Sequence, residues 1–296
     1  MARHPAARGL EDDAALLDGW VITHDSIAEG VHYRPGDPPD SVGWKLAAVN
    51  ASDLAAKGAQ PAAALLSMAI NGEAAWEAAF LDGLQQALAQ FGMALIGGDT
   101  IALPEGAPRV LGLTALGRAG PHTPARSGGK PGDSLWLVGT LGDSAAGLAL
   151  LRSDAEAAGP LVEAYRRPRP LLAEGRALAG VVSAMMDVSD GLLLDCARMA
   201  ESSGVAAEID LGALPLSAAF AAERGDGLEA RLFAATGGDD YALLAAASDQ
   251  DLSLCLPPAT TVTAIGRLVE GAGLSLTFAG KDVPVPERLG HEHRTS

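Results

Sequence analysis

The chain has 296 residues, 48% of them hydrophobic and only 4% aromatic, with a formal net charge of −16. That length and apolar content suffice for two domains with aliphatic cores, and the acidic balance argues against nucleic acid and anionic membranes as partners. Two cysteines outside any CxxC pair exclude a disulfide framework and a zinc or redox pair, and the absence of a spanning apolar run or a hydrophobic leader reads as a cytoplasmic protein with no membrane partner.

In chain order, Glu11-Asp12-Asp13 precede a short apolar strand over 14–17, and a second strand over 20–23 runs into His24-Asp25-Ser26. Alternation along that strand puts Thr23 and Asp25 on one face. A loop rich in proline and aspartate follows Glu29-Gly30-Val31-His32-Tyr33. Ser41 is the expected N-cap of a helix that reaches Lys57 and stops at Gly58. Its apolar stripe, Val42, Leu46 and Val49, extends onto Asn50 and Asp53. Either these polar residues bond a neighbouring loop, or the face opens onto a site with Asp53 as a metal ligand. Strands over 62–70, 93–96 and 110–116 and a helix over 73–90 come next, the strand over 93–96 leading into Gly97-Gly98-Asp99-Thr100. The glycine- and proline-rich stretch 117–133, which holds Arg126, marks a boundary between domains at 1–120 and 121–296.

The second domain opens with a strand over 135–138, and Gly139-Thr140-Leu141-Gly142-Asp143-Ser144 then starts a helix. Arg166-Arg167-Pro168-Arg169 is a local basic cluster before a helix over 171–179. The stretch 184–195 reads as an apolar strand carrying Asp187, a turn at Ser189-Asp190-Gly191, and a helix to Ser202. Strands are expected over 206–211, 241–245, 262–268 and 274–278, with Gly237-Gly238-Asp239-Asp240 before the second of these and a polar, partly disordered tail from Lys281. The alternation of strands and helices suggests an α+β or α/β layer for the first domain, and both halves mix the two in similar proportion.

Asp13, Asp25, Asp53, Asp99, Asp187 and Asp190 all fall near strand or helix ends. If folding brings them together they repel, so cations must stand among them or some must take up protons. Hard oxygen donors favour Mg²⁺, and several Mg²⁺ ions suit a triphosphate. The turn at Ser189-Asp190-Gly191 offers free N–H groups at a helix start for phosphate oxygens. No P-loop, GxGxxG, GxSxG or HExxH motif is present. Arg126 reads equally as a phosphate contact or a solvated loop cation, His32 as a substrate contact or an exposed loop residue, and Lys57 and Lys130 as surface charges.

Taken together, these motifs resemble the thiamine-monophosphate kinases, in the superfamily of aminoimidazole ribonucleotide synthetase and selenophosphate synthetase. The matching pieces, from Asp12-Asp13-Ala14 through Asn50-Ala51-Ser52-Asp53, Arg126-Ser127-Gly128-Gly129, Asp187-Val188-Ser189-Asp190-Gly191 and Gly237-Gly238-Asp239-Asp240-Tyr241, span most of the chain. The resemblance implies ATP-dependent phosphorylation of thiamine monophosphate by direct in-line transfer, without a protein nucleophile. It implies Mg²⁺ ligands at Asp13, Thr23, His24, Asp25, Asp53, Asp99, Asp187 and Asp190, ATP contacts at Gly98, Asp99, Arg126 and Ser189, and substrate contacts at His32, Asp239 and His291. It further implies an N-terminal mixed sheet that pairs in a homodimer and a C-terminal α/β sandwich. The chain departs from the family pattern at Glu11, usually glycine, at His24, usually threonine, at Asp239, usually glutamate, and at His291, where an aromatic is usual. Those changes leave two other readings: an ATP-using relative with a different small substrate, or a non-catalytic protein that binds ATP and Mg²⁺.

Overall fold

A computed structural model describes residues 4–104, 106–248 and 251–291. The N-terminal half is a mixed five-stranded sheet of β1 (Ala15–Leu17), β2 (Trp20–Ala28), β3 (Gln60–Ile70), β4 (Ala94–Ala102) and β5 (Val110–Arg118), in the order β1-β2-β5-β3-β4. Only the β3–β4 pair is parallel; the other neighbours are antiparallel. Two helices, α1 (Pro39–Ala56) and α2 (Ala74–Phe91), cover one face. They cross so closely that a Cβ on Gly43 would stand 2.2 Å from the Phe80 carbonyl oxygen, and one on Gly83 would stand 1.9 Å from that of Asp40. Only glycine permits that approach.

The C-terminal half is a seven-stranded sheet ordered β12-β11-β8-β10-β6-β9-β7. Its strands are β6 (Ser134–Val138), β7 (Ala184–Val188), β8 (Ala206–Asp210), β9 (Ala242–Ala247), β10 (Val262–Val269), β11 (Gly273–Phe278) and β12 (Lys281–Val283). Helices α3 (Asp143–Ser153), α4 (Pro160–Arg166), α5 (Leu172–Leu178), α6 (Leu192–Ser203), α7 (Ala218–Arg224) and α8 (Leu228–Thr236) complete it. Leu192, Leu193, Cys196 and Met199 of α6, Phe220 of α7 and Ala234 of α8 fill the core on one face of this sheet. Ala55 and Ala56 of α1 and Leu178 of α5 pack on the other, against Met185, Leu243 and Ala245.

Helix α1 is therefore sandwiched between the two halves, and its residues from Lys45 to Ala56 are all buried. That explains why its apolar pattern runs beyond a single stripe, since a helix enclosed on all sides has no solvent face. The helix begins at Pro39, whose fixed φ suits the first helical position, so Ser41 is not the N-cap; its hydroxyl donates to the Pro38 carbonyl oxygen at 2.7 Å. Three short helices, α4, α7 and α8, escaped the sequence reading, and Lys281–Val283 forms a strand where a disordered tail was expected. Among the described residues no helix is long and apolar enough to cross a membrane.

Candidate active site

Alternation along β2 carries Thr23 and Asp25 toward α1. There the Thr23 hydroxyl donates to Asp53 Oδ2, and Asn50 Oδ1 accepts the Asp25 backbone N–H at 3.0 Å. Ser52, one residue before Asp53, donates to Asp187 Oδ2 at 2.6 Å across the seam between the halves. Helix α1 thus joins β2 to β7, and Asp13, Asp25, Asp53 and Asp187 gather around it. Their mutual influence is strong. Burial first, then the charges of Asp187, Asp25 and Asp13, pushes the Asp53 carboxyl far above the ordinary carboxylate range, against the pull of the Thr23 bond. Burial, then Asp13, raises Asp187 in the same way, and Ser52 opposes it. Asp25 is raised by burial, with His24 opposing and Asp13 and Asp190 adding to the rise.

Such a set of buried oxygens is relieved by a hard cation. Among the described residues no three acidic, histidine or cysteine side chains already enclose one point. That fits Mg²⁺, which is usually held by one or two carboxylates with substrate phosphates completing its shell. Asp25, Asp53 and Asp187 have no lysine or arginine against them among the described residues. Asp13 differs. Its carboxylate is paired with Arg126 Nη2 at 2.6 Å and with Lys57 at 2.9 Å. Arg126 is itself buried enough that its Nε has no partner among the described residues, a donor suited to a phosphate oxygen.

Two expected members of the cage stand elsewhere. The alternation that brings Thr23 and Asp25 inward turns His24 outward. Its ring bonds Thr114 Oγ1 at 2.9 Å and Ser26 Oγ at 3.3 Å on the opposite face of the sheet. Asp99 lies in the middle of β4, in register with Ser67, which pairs with Gly112 and through it with Ser26. Three strand spacings, about 14 Å, separate β4 from β2. Gly98 and Asp99 are exposed, within a strand that runs on through the glycines because β3 supplies a parallel ladder.

The turn after β7 also differs from expectation. The backbone N–H groups of Ser189, Asp190 and Gly191 are not free for phosphate; all three donate to Asp195 Oδ2, at 3.0–3.2 Å. Asp190 is in turn paired with Arg198 at 2.6 Å. In the same way Gly142 and Ser144 donate their N–H groups to Asp240.

Next to the carboxylates lies a cavity of about 340 Å³. Asp25, Ser189, Asp190, His32, Asp239 and His291 all line it, and the backbone N–H groups of Asp239 and His291 donate to the Ser189 and Asp190 carbonyl oxygens at 2.7 and 2.8 Å. Asp239 sits at φ 68, a strained position for a residue with a side chain, and is held there by Lys45 at 2.7 Å and by the Tyr241 hydroxyl at 3.0 Å. His32 accepts the Ala28 N–H at Nδ1. Sequence reasoning missed Lys45, Ser144, Arg152 and Tyr165, the last three of which also line the cavity. Ser144 offers a buried hydroxyl without a partner among the described residues, and Arg152 a guanidinium at the rim. The signal for Lys45 was a cation between Trp44 and the apolar run 46–49 of α1.

Residues 11–119 match the model of the AIR synthase related protein, N-terminal domain, and residues 130–279 that of its C-terminal domain. The thiamine-monophosphate kinase of Caulobacter vibrioides is 37% identical over 98% of this chain and 86% of its own. The chain belongs to the thiamine-monophosphate kinase family. A second relative of that family, from Salmonella typhimurium, is 39% identical over 79% of this chain and 74% of its own. Among solved members of the kinase family, the crystal structure from Stenotrophomonas maltophilia K279a superposes with a TM-score of 0.79 at 36% identity, over 92% of this chain and 90% of that one. A ThiL complexed with AMPPCP and TMP superposes with a TM-score of 0.83 at 30% identity, over 97% and 94%. The two-domain α+β architecture is shared with them. Hydrogenase maturation protein HypE, at 17–21% identity, shares the fold.

Proposed function

We propose that this chain transfers the terminal phosphoryl group of ATP to thiamine monophosphate, giving thiamine diphosphate and ADP, in the cavity between Asp25 and Asp239. The observation that carries the reading is the lining of that single cavity, where Asp25 and Asp190, suited to metal-bound phosphate, share the wall with His32, Asp239 and His291. The relative that holds AMPPCP and TMP supports it.

The nucleophile is a phosphate oxygen of the substrate, already anionic near neutral pH, so no side chain has to remove a proton. The oxygen attacks the terminal phosphorus in line with the departing ADP oxygen. Mg²⁺, when bound, neutralises the phosphate charge that builds up on the transferring group. Asp25, Asp53 and Asp187 would hold it, with Asp190 beside them. Thr23 and Ser52 keep Asp53 and Asp187 oriented through their hydroxyls. Arg126, paired with Asp13, would take an ATP phosphate, and Ser189 lines the cavity. His32, Asp239 and His291 fix the acceptor. The contribution of these residues is positioning and charge stabilisation.

The uncovered face of the N-terminal sheet carries Leu65, Ile101 and Val110 beside His24 and Asp99, and these apolar side chains are exposed in a single copy. This supports a homodimer paired through that face. In such a pair Gly98 and Asp99, distant from their own cage, serve the ATP site of the partner copy.

The test is direct. Purified protein given ATP, Mg²⁺ and thiamine monophosphate is expected to form thiamine diphosphate and ADP in equal amounts. ADP release without thiamine diphosphate, or no turnover at all, removes the proposal.

A further inference from the structure

Lys57 has no solvent exposure at all. Its ammonium donates to Asp12 Oδ1, lies 2.9 Å from Asp13 Oδ2, and donates to the Met185 carbonyl oxygen at 3.1 Å. Two of its N–H bonds thus have acceptors, on Asp12 and Met185, and its charge lies against Asp13, whose Oδ2 accepts no hydrogen bond among the described residues. Asp12 and Asp13 belong to the N-terminal half; Met185 lies in β7, two residues before Asp187. The cation therefore sits inside the carboxylate cage, at the seam. Arg8 adds a second partner to Asp12 at 2.6 Å, as Arg126 does to Asp13.

The cage consequently has two unlike ends. At the Asp12–Asp13 end every carboxylate is already matched by fixed cations. At the other end Asp25, Asp53 and Asp187 are crowded and lack any such partner among the described residues. An ion entering at Asp13 would have to expel an ammonium that has nowhere to go, since its stem is packed inside the protein. Mg²⁺ also demands oxygens at 2.0–2.1 Å in near-octahedral array, a shell that the Lys57 ammonium obstructs.

We propose that Lys57 is a built-in counter-cation that holds the Asp12–Asp13 end of the cage in place of a divalent ion. Asp13 then anchors Arg126 and is not a metal ligand, and divalent metal enters only at the Asp25, Asp53 and Asp187 end. The proposal rests on the reading of the cage as the metal site of a phosphoryl-transfer centre.

The experiment counts Mn²⁺ by electron paramagnetic resonance, with AMPPCP present, in the parent, Lys57→Met and Lys57→Arg, and follows melting in EDTA and in Mn²⁺. Lys57→Met is expected to bind about one more Mn²⁺ per chain than the parent, and Lys57→Arg the same number as the parent. Lys57→Met is also expected to melt several degrees lower in EDTA and to recover most of that loss with Mn²⁺. An unchanged count in Lys57→Met, or a melting loss that Mn²⁺ leaves untouched, overturns the proposal. If Lys57→Met does not fold, Asp13→Asn decides: an unchanged Mn²⁺ count supports the counter-cation, and loss of one ion overturns it. A parent that binds no Mn²⁺ with the nucleotide analogue defeats the metal reading itself, which is a separate outcome.

Discussion

The ammonium of Lys45 stands 2.7 Å from Asp239 Oδ2, so a residue of the first domain's buried helix fixes a strained turn of the second. The same ammonium donates to the His32 carbonyl oxygen at 3.0 Å and lies 4.2 Å from the centre of the Tyr165 ring. One cation thereby aligns three residues of the acceptor side.

Replacing Lys45 with Met should weaken thiamine monophosphate binding and leave ATP binding unchanged. Asp239 is 30% exposed, so the pair is worth about 1 kcal/mol after screening, hence roughly five- to tenfold in affinity. Calorimetry with each ligand separately checks this; an equal loss for AMPPCP would show general damage instead.

Asp53→Asn should have opposite effects on activity and stability. Losing a carboxylate that would hold the metal should lower kcat by about 10²–10³-fold. In EDTA the same variant should melt higher than the parent, because a carboxyl crowded by Asp187, Asp25 and Asp13 is removed while the Thr23 bond has an amide oxygen to accept it. A lower melting temperature in EDTA would contradict the account of the cage.

The crossing of α1 and α2 sets a steric test. Gly83→Ala places a methyl group 1.9 Å from the Asp40 carbonyl oxygen, and backbone must move to admit it. The cost should be about 1–3 kcal/mol or more, seen as a fall in Tm, with AMPPCP affinity retained in the folded fraction. An unchanged Tm would mean that the helices pack less tightly than described.

Asp240 makes stability depend on pH. Its buried carboxyl accepts N–H bonds from Gly142 and Ser144, yet burial outweighs them and lifts it well above 3.8. Above pH 3.8 the unfolded chain releases this proton while the folded one retains it, so this group's contribution falls as pH rises through that window. Relative to Asp240→Asn, the parent should therefore lose stability between pH 5 and pH 8. Urea unfolding of both at the two pH values measures the difference, and a gap that stays constant refutes the assignment.

The two thiols should react very differently. Cys196 is fully enclosed by the α6 core, and burial pushes its thiol up to about 12, whereas Cys255 is exposed. Alkylation of the native protein at pH 8 should label Cys255 rapidly and Cys196 only on unfolding, as mass spectrometry of the peptides would reveal.

What the sequence disclosed was whatever depends on local periodicity. Thr23 and Asp25 could be placed on one face from alternation alone, and the same rule, carried one residue further, puts His24 on the other. Asp53 could be singled out because a polar residue continued an apolar stripe. Lys57 could not be recognised so easily, since its burial is imposed by β7, 128 residues away along the chain at Met185. Asp195 was hidden for a related reason: a carboxylate in a helix's first turn looks like an ordinary favourable charge, and only the folded turn reveals that it satisfies the N–H groups of Ser189, Asp190 and Gly191. The helices α7 and α8 are short and lean on the C-terminal core for stability, which leaves them little periodic signature.

Because α1 supplies Val42 and Leu46 to one core and Ala55 and Ala56 to the next, the halves share a structural member. Severing the connection between Arg118 and Ser134 would not release two independent modules. The leading fragment would expose the far flank of α1 to water, and the trailing fragment would lose the plug that covers Met185 and Leu243. Co-expressed pieces should find one another and reassemble, while either piece produced alone should aggregate.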